Sequence, residues 1–178
     1  MQSSSEPTTP DPGVAALEVL VGTWSGSGRT ESPTIDPIDH VETMTFEHDG
    51  GDAMAFRQEI RSAETGALID AETGFWSVPG PGRGELVIAR RSGVVEVLAG
   101  FAAPNITSRG TEPGDADRTL IVDVRSTAVH SATHGPGIVS TERTVEVTGD
   151  VMRYTLRMSA DGQPLQHHRS ATLRRHAD

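Results

Sequence analysis

The chain has 178 residues, 19 glycines, 11 prolines and a formal net charge of -10, and all of its 15 cationic side chains are arginine. This length suits one domain with a substantial core, and the acidic surplus argues against binding to nucleic acid or to an anionic membrane surface. The lack of cysteine excludes disulfides, thiolate nucleophiles, iron–sulfur clusters and cysteine-ligated zinc, and the lack of lysine excludes a Schiff-base lysine.

The first 13 residues, MQSSSEPTTPDPG, are polar and rich in proline, which is typical of disordered chain. They lack the basic and apolar regions of a signal peptide, and no later run approaches the ~20 apolar residues of a membrane span. We therefore expect a cytoplasmic protein with a disordered tail over residues 1–13 and one folded domain over residues 14–178.

After the tail, Val14–Leu20 has helical spacing and predicts one short helix at an end of the fold. Short alternating segments follow, separated by turn signals such as Asp49–Asp52 and Thr148–Asp150. Residues 103–117 are polar and contain glycine and proline, which indicates an exposed loop. The predicted strands cover residues 22–28, 40–48, 53–61, 67–78, 85–91, 94–101, 119–129, 138–147, 151–159 and a terminal stretch within 163–175.

About ten strands without intervening helices predict an all-β fold with an antiparallel up-and-down sheet. Such a sheet most easily protects its edges by closing into a barrel. A barrel of this size has a lumen wider than side chains alone can fill. Aromatic residues make up only 4% of the chain, so little bulk is present to fill that lumen, and we expect a ligand cavity.

Two short stretches near the N-terminus are candidates for special roles. Gly22–Gly28 reads GTWSGSG in the first predicted strand, where glycine at alternate positions lets a neighbouring backbone approach closely or lets the strand bend. Trp24 is expected to cover the barrel end. Thr34 follows a proline in SPTID, so its backbone is constrained, and an ordinary turn threonine is the simplest interpretation.

Two adjacent histidines, His167 and His168, lie in the last predicted strand. Neighbouring residues of a strand point to opposite faces, so only one of them can face the lumen, and the residues alone do not decide which. One imidazole without cysteine or a second well-spaced ligand does not make a zinc site. A single protein ligand suffices where the cofactor supplies the others, as haem does with its four pyrrole nitrogens.

The other candidates have simpler interpretations. His40 and His48 share a strand parity and have acidic neighbours, but solvated residues on the sheet are the expected assignment. His134 is expected in a turn with a small chance of touching a ligand. The carboxylates Glu59 and Glu72 have no partner that the sequence assigns.

Taken together, these stretches resemble the nitrobindin family, small haem-binding β-barrels that are also grouped as peroxynitrite isomerases. The resemblance runs from about Leu17 to Arg175 and includes a P-T-I-D-P segment and a terminal Q-P-L-Q-H-H segment. The family's G-x-W-x-G-x-G motif stands here at Gly22, Trp24, Gly26 and Gly28.

The resemblance implies haem b as the cofactor, His168 as its axial iron ligand and Thr34 at the haem edge. It leaves His167 outside the barrel. It also assigns one strand parity to the lumen, namely Gln166, His168, Ser170 and Thr172. The implied activity is that of an enzyme whose ferric haem isomerises peroxynitrite to nitrate, with nitric oxide as a second small ligand of the same iron.

The chain departs from the family pattern at two places. Arg169 stands where a leucine usually follows the ligand, and His134 stands where a lysine is usual. The same barrel also resembles lipocalins and fatty-acid carriers, so the alternative function is a non-enzymatic carrier of a fatty acid or another small apolar ligand. The sequence leaves a homodimer open.

Overall fold

The computed structural model describes residues 12–32, 35–48, 50–108 and 116–177. The tail predicted over residues 1–13 lies outside these ranges except for Pro12 and Gly13, with which the first helix begins. Asp49, the first residue of one predicted turn, also lies outside them. No helix in the described ranges is long and apolar enough to cross a membrane.

Over these ranges the chain forms one short helical segment and then ten strands. Helix α1 spans Pro12–Leu17 and continues as a 3₁₀ turn over Glu18–Leu20. The strands are β1 (Gly22–Ser32), β2 (Ile35–Glu47), β3 (Ala53–Ser62), β4 (Leu68–Gly80), β5 (Arg83–Arg90), β6 (Val94–Ser108), β7 (Ala116–Ser131), β8 (Ile138–Thr148), β9 (Val151–Ala160) and β10 (Gln166–Arg175).

The strands form a closed barrel in chain order. Each strand pairs antiparallel with its neighbours in sequence, and β1 also pairs with β10. The prediction of an all-β, up-and-down barrel with a short N-terminal helix is confirmed. Closure satisfies backbone groups that an open sheet would expose at its two edges.

The predicted loop over residues 103–117 is wrong at both of its ends, and residues 109–115 lie outside the described residues. Strand β6 continues to Ser108, β7 begins at Ala116, and these two residues pair with each other. Pro104 does not prevent the extension, because it lies beyond Phe101, the last β6 residue that pairs with β5. Proline is tolerated where a strand forms the edge of a ladder.

The helical segment before β1 closes one end of the barrel, where it contacts Trp24. Its indole nitrogen donates a hydrogen bond to the Leu20 carbonyl at 2.7 Å, and the ring is fully buried. The Arg175 guanidinium lies 4.3 Å from the centre of the same ring and donates to the carbonyls of Val19 and Val21. Trp24 therefore covers this end, as the sequence predicts.

The glycines of the motif permit β1 and β10 to approach closely. A Cβ atom at Gly26 would lie 2.1 Å from the backbone oxygen of Thr172. A Cβ atom at Gly28 would lie 2.2 Å from the backbone oxygen of Ser170. Both distances are far inside van der Waals contact, so the two positions exclude side chains.

Next to the covered end, aromatic rings fill the lumen. Phe46 lies 5.3 Å from Trp76 and 6.0 Å from Phe56 between ring centres. The expectation that low aromatic content leaves the lumen open is therefore wrong at this end, because five of the seven aromatic side chains are collected inside. These five are Trp24, Phe46, Phe56, Trp76 and Tyr154.

Beyond the aromatic rings lies a layer of buried charged and polar side chains, which we call the charged layer. Arg143 donates to both carboxylate oxygens of Glu72, at 2.5 and 2.8 Å. Arg90 donates to Glu96 at 2.6 Å. The layer consists of Glu42, Gln58, Glu72, Arg90, Glu96, Thr141, Arg143, Tyr154 and Arg169.

Opposite charges keep the carboxylates of this layer ionised. Burial by itself raises the pKa of Glu72, but the charges of Arg143 and Arg90 outweigh it and lower that pKa to about 2. Burial is likewise outweighed at Glu96, whose pKa is lowered by Arg90 and Arg143. The layer is thus joined by charge-assisted hydrogen bonds, which are the stronger kind.

We predict that Gly28→Ala destabilises the barrel by about 1–3 kcal/mol, because the new methyl group must displace the β10 backbone. Gly80→Ala is the matched control, since a Cβ there would lie 4.0 Å from the Arg83 side chain. Urea unfolding measures both variants. Equal unfolding midpoints for the two variants would contradict the close approach of β1 and β10.

We predict that Arg143→Met lowers the free energy of unfolding by about 3–5 kcal/mol, because it leaves the buried charge of Glu72 with too little compensation. Methionine keeps most of the side-chain volume, so the loss reports charge rather than a cavity. Adding Glu72→Leu should restore part of the loss. Arg125→Met is the control. It removes an ion pair whose arginine is 74% exposed, so it should change the free energy of unfolding little. If Arg143→Met alone were as stable as the wild type, this account would be refuted.

Candidate functional site

The barrel end opposite Trp24 carries an open cleft of about 300 Å³. This volume is at the lower limit of about 300–1,000 Å³ for small-molecule sites, and the cleft opens to solvent, so a larger ligand can extend out of it. Aliphatic and polar residues together form its walls, and its floor is charged. The wall residues include Ile38, Ile69, Ile138 and Met158, and the floor residues are Asp70, Arg90 and Arg169.

A β-bulge in β10 determines which side chains reach this cleft. His167 pairs with Arg157 of β9, and Arg169 pairs with the adjacent β9 residue, Leu156. His168 lies between them and has no pairing partner in β9. In a regular strand, consecutive side chains point to opposite faces. The extra residue lets His168 and Arg169 both line the cleft.

The bulge corrects the strand parity that the family resemblance assigned to the lumen. Gln166 and His168 line the cleft as expected, and His167 is exposed but also borders the cleft. Beyond the bulge the parity reverses: Thr172 is exposed, whereas the interior positions are those of Arg169, Ala171 and Leu173. Ser170 likewise belongs to the outward set, so its predicted lumen position is wrong.

The proton of the His168 ring is assigned by one hydrogen bond. Its Nδ1 lies 3.1 Å from the backbone carbonyl oxygen of Glu31, at the end of β1. Because a carbonyl oxygen only accepts, Nδ1 carries the proton and donates it. The other ring nitrogen, Nε2, then carries a lone pair, and among the described residues the hydrogen bond of this ring is the one that Nδ1 makes.

The same ring is held in its neutral form. Burial, together with the positive charges of Arg169 and Arg90, lowers the pKa of His168 to about 4. The hydrogen bond to Glu31 acts in the opposite direction but does not compensate. At neutral pH the site therefore presents an uncharged imidazole with one nitrogen fixed by the protein and the other available as a metal ligand.

Arg169 is almost completely buried beside this ring. Its Nε donates to Thr30 Oγ1 at 3.3 Å, and its Nη2 donates to Asp70 Oδ2 at 3.1 Å. Arg90 approaches the same Asp70 oxygen at 3.7 Å. Asp70 is thus shared by two guanidinium groups on the floor of the cleft.

His40 is not the solvated residue that the sequence predicts, because its side chain is fully buried. It pairs with Gly28 across β1 and β2, and a Cβ at Gly28 would lie 2.6 Å from the ring. The missing side chain of Gly28 therefore makes room for the imidazole. Its Nδ1 lies 3.3 Å from Thr30 Oγ1, and its Nε2 lies 3.8 Å from Glu42.

The remaining predicted residues are not brought together. His48 contacts the Gly51 carbonyl at 2.8 Å, away from the buried His40, and His134 is exposed in a turn, as expected. In the described part of the chain, no group of three or more histidine or acidic side chains could hold a metal ion. Glu59 lies on the outer face with Arg57, whereas Glu72 lies inside. Thr34 lies outside the described residues.

Sequence reasoning missed the charged layer and the role of Arg169. A signal was present for the layer, because Glu72 has the same strand parity as Trp76, and Arg143 has that of Val145. Charged residues in otherwise apolar, inward-facing positions of two strands indicate an internal ion pair. No comparable signal located the bulge, because nothing in residues 166–175 marks an extra residue.

Comparisons with known proteins agree with this geometry. Residues 13–175 match the family model described as "THAP4-like, heme-binding beta-barrel domain". The chain is 37% identical to peroxynitrite isomerase 1 of Mycolicibacterium paratuberculosis, over 95% of this chain and 98% of that protein. It is 37% identical to the peroxynitrite isomerase of Nocardia farcinica, over 92% of this chain and 91% of that one.

A solved structure shares the fold. The crystal structure of Rv2717c from Mycobacterium tuberculosis superposes with a TM-score of 0.83 and 29% sequence identity, and the match covers 95% of this chain and 100% of that one. The family match extends over nearly the whole barrel, and the similar proteins are covered almost completely. The chain therefore belongs to the nitrobindin family of haem-binding β-barrels.

Proposed function

We propose that this protein binds haem b in the cleft, with Nε2 of His168 as the axial iron ligand, and that it isomerises peroxynitrite to nitrate. The observation that carries the proposal is the state of one ring. His168 is neutral, its Nδ1 is committed to the Glu31 carbonyl, and its Nε2 lone pair is free in an open cleft.

The residues around His168 fit a porphyrin in their chemistry. Aliphatic side chains such as Ile38, Ile69 and Met158 line the cleft and suit the apolar faces of a macrocycle. The Glu31 carbonyl fixes the ring orientation, as partners of metal-ligating histidines commonly do. Thr34 stays in the proposal as a contact at the haem edge.

The activity is supported by the relatives named peroxynitrite isomerase, two of which are 37% identical to this chain. When bound, ferric haem would supply a Lewis-acidic iron for small oxygen- and nitrogen-centred ligands. His168 would hold the group, and the cleft would give the anion access from solvent. No catalytic acid or base is required, because isomerisation to nitrate transfers no net proton. Nitric oxide binding at the same iron is the second role we propose.

The geometry does not favour the alternative of a fatty-acid carrier. Such a carrier needs a long apolar lumen, but here the aromatic rings and the charged layer fill the barrel below the cleft. Arginine and tyrosine side chains that could bind a fatty-acid carboxylate are already paired with the protein's own carboxylates. Arg143 is paired with Glu72, and Tyr154 donates to Glu42 at 2.9 Å.

We predict that protein mixed with haemin develops a Soret band and that His168→Ala abolishes the band or shifts it strongly, because the axial ligand is lost. His167→Ala is the matched control, since the neighbouring ring is exposed at the edge of the cleft and is not the proposed ligand, and it should keep the wild-type spectrum. Absorption titration with haemin measures all three proteins. If the His168 variant has the wild-type spectrum and affinity, His168 is not the ligand.

We predict that the ferric, haem-loaded protein accelerates peroxynitrite decay and raises the nitrate-to-nitrite ratio of the products. Stopped-flow absorbance and ion analysis measure the two quantities, and haem-free protein at the same concentration is the control. The His167→Ala protein should match the wild type. Decay no faster than in the haem-free control would show that this barrel binds haem without isomerase activity.

A further inference from the structure

Arg169 is the residue of the cleft that the proposed function leaves without a role. It follows the proposed ligand directly, and the bulge turns it inward beside that ligand. Its side chain is only 3% exposed and is held by Thr30 and Asp70. A buried ion pair is rarely more stable than well-packed apolar side chains, so stability alone does not explain an arginine at this position.

The two arginines on the floor of the cleft face different carboxylates. Arg90 lies 2.6 Å from Glu96, 3.3 Å from Glu72 and 3.7 Å from Asp70. Arg169 is paired with Asp70 at 3.1 Å. The arginines and carboxylates of the layer therefore balance, and the fixed charges nearest to His168 include the adjacent Arg169 cation and its Asp70 partner, which line the same cleft.

We propose that Arg169 and Asp70 are positioning residues that set the reduction potential of the iron held by His168, Arg169 raising it and Asp70 lowering it. The inference rests on the proposed function. Reduction removes one positive charge from the iron, so a fixed cation nearby favours the ferrous state and a fixed anion favours the ferric state. Burial limits screening by solvent and salt, and charge and hydrogen bonding around an axial ligand are known determinants of haem potentials.

The burial and contacts of Arg169 suit this role. An arginine stays charged at any pH that the protein tolerates, and although burial acts against the charge, Tyr154, Asp70 and Glu72 raise the pKa of Arg169 further. Two hydrogen bonds to different strands, β1 and β4, fix the guanidinium in place. A leucine, the residue usual in the family, would fill the same space without a charge.

The test is a spectroelectrochemical titration of the haem-loaded wild type, Arg169→Leu and Asp70→Asn. The midpoint potential should become more negative in Arg169→Leu and more positive in Asp70→Asn. At the wild-type midpoint, where half the iron is reduced, less than half should be reduced in the first variant and more than half in the second. Arg125→Leu, which removes an exposed cation from the outer surface, should leave the midpoint unchanged.

The opposite directions of the two potential shifts distinguish an electrostatic role of the pair from a structural one, because both variants break the same ion pair. If the pair only supported the fold, the two potentials would move in the same direction, and that result or the absence of a shift would overturn the inference. Asp70→Asn is nearly isosteric and partly exposed, so it remains informative if Arg169→Leu does not fold. Failure of the wild type to bind haem would instead refute the proposed function, and this inference would fall with it.

Discussion

The candidate site depends on the β-bulge of β10, where His168 has no counterpart in β9. Without the extra residue, a histidine facing the cleft would be followed by a side chain facing solvent. With it, His168 reaches the cleft and Arg169 reaches the interior, so that two consecutive residues act on one side of the sheet. Bulges are common next to active sites, where they redirect a side chain at the cost of a local break in the ladder.

The interior of the barrel explains why the ligand site is at one end. Aromatic rings fill the lumen near the covered end, and the charged layer fills its middle, so the cleft lies at the far end. The motif glycines contribute to both features. They let β10 approach β1, and Gly28 makes room for His40, whose ring contacts Thr30 below the cleft.

Electrostatics connects the charged layer to the chemistry proposed for the cleft. Glu72 and Arg143 neutralise each other in the middle of the barrel, whereas Arg90, paired with Glu96, and Arg169, paired with Asp70, reach the cleft floor. Burial, together with the charges of Arg169 and Arg90, lowers the pKa of His168 and keeps its ring neutral. A neutral imidazole is the form that binds a metal, so the layer that fills the barrel also favours the ligand role proposed for His168.

The barrel could be predicted from sequence because alternation and turn signals depend on local residues. The resemblance added His168, and the structure places its ring in the cleft. Two features could not be predicted from the sequence, and the reasons are physical. The bulge arises from the pairing register of β9 and β10, which neither strand reveals by itself. The ion pair of Glu72 and Arg143 joins residues that are 71 positions apart in the chain. The extension of β6 and β7 depends on their mutual pairing, from Ala103 with Ile121 to Ser108 with Ala116, which the polar composition of this stretch does not indicate. Thr34 stays a prediction.

A crystal structure of the protein loaded with haemin tests the central claim most directly. The account predicts iron bonded to Nε2 of His168, with Nδ1 still donating to the Glu31 carbonyl and Arg169 still paired with Asp70 beneath the ring. Iron bonded to His167, haem bound on the outer surface, or a His168 ring turned away from the cleft would contradict it.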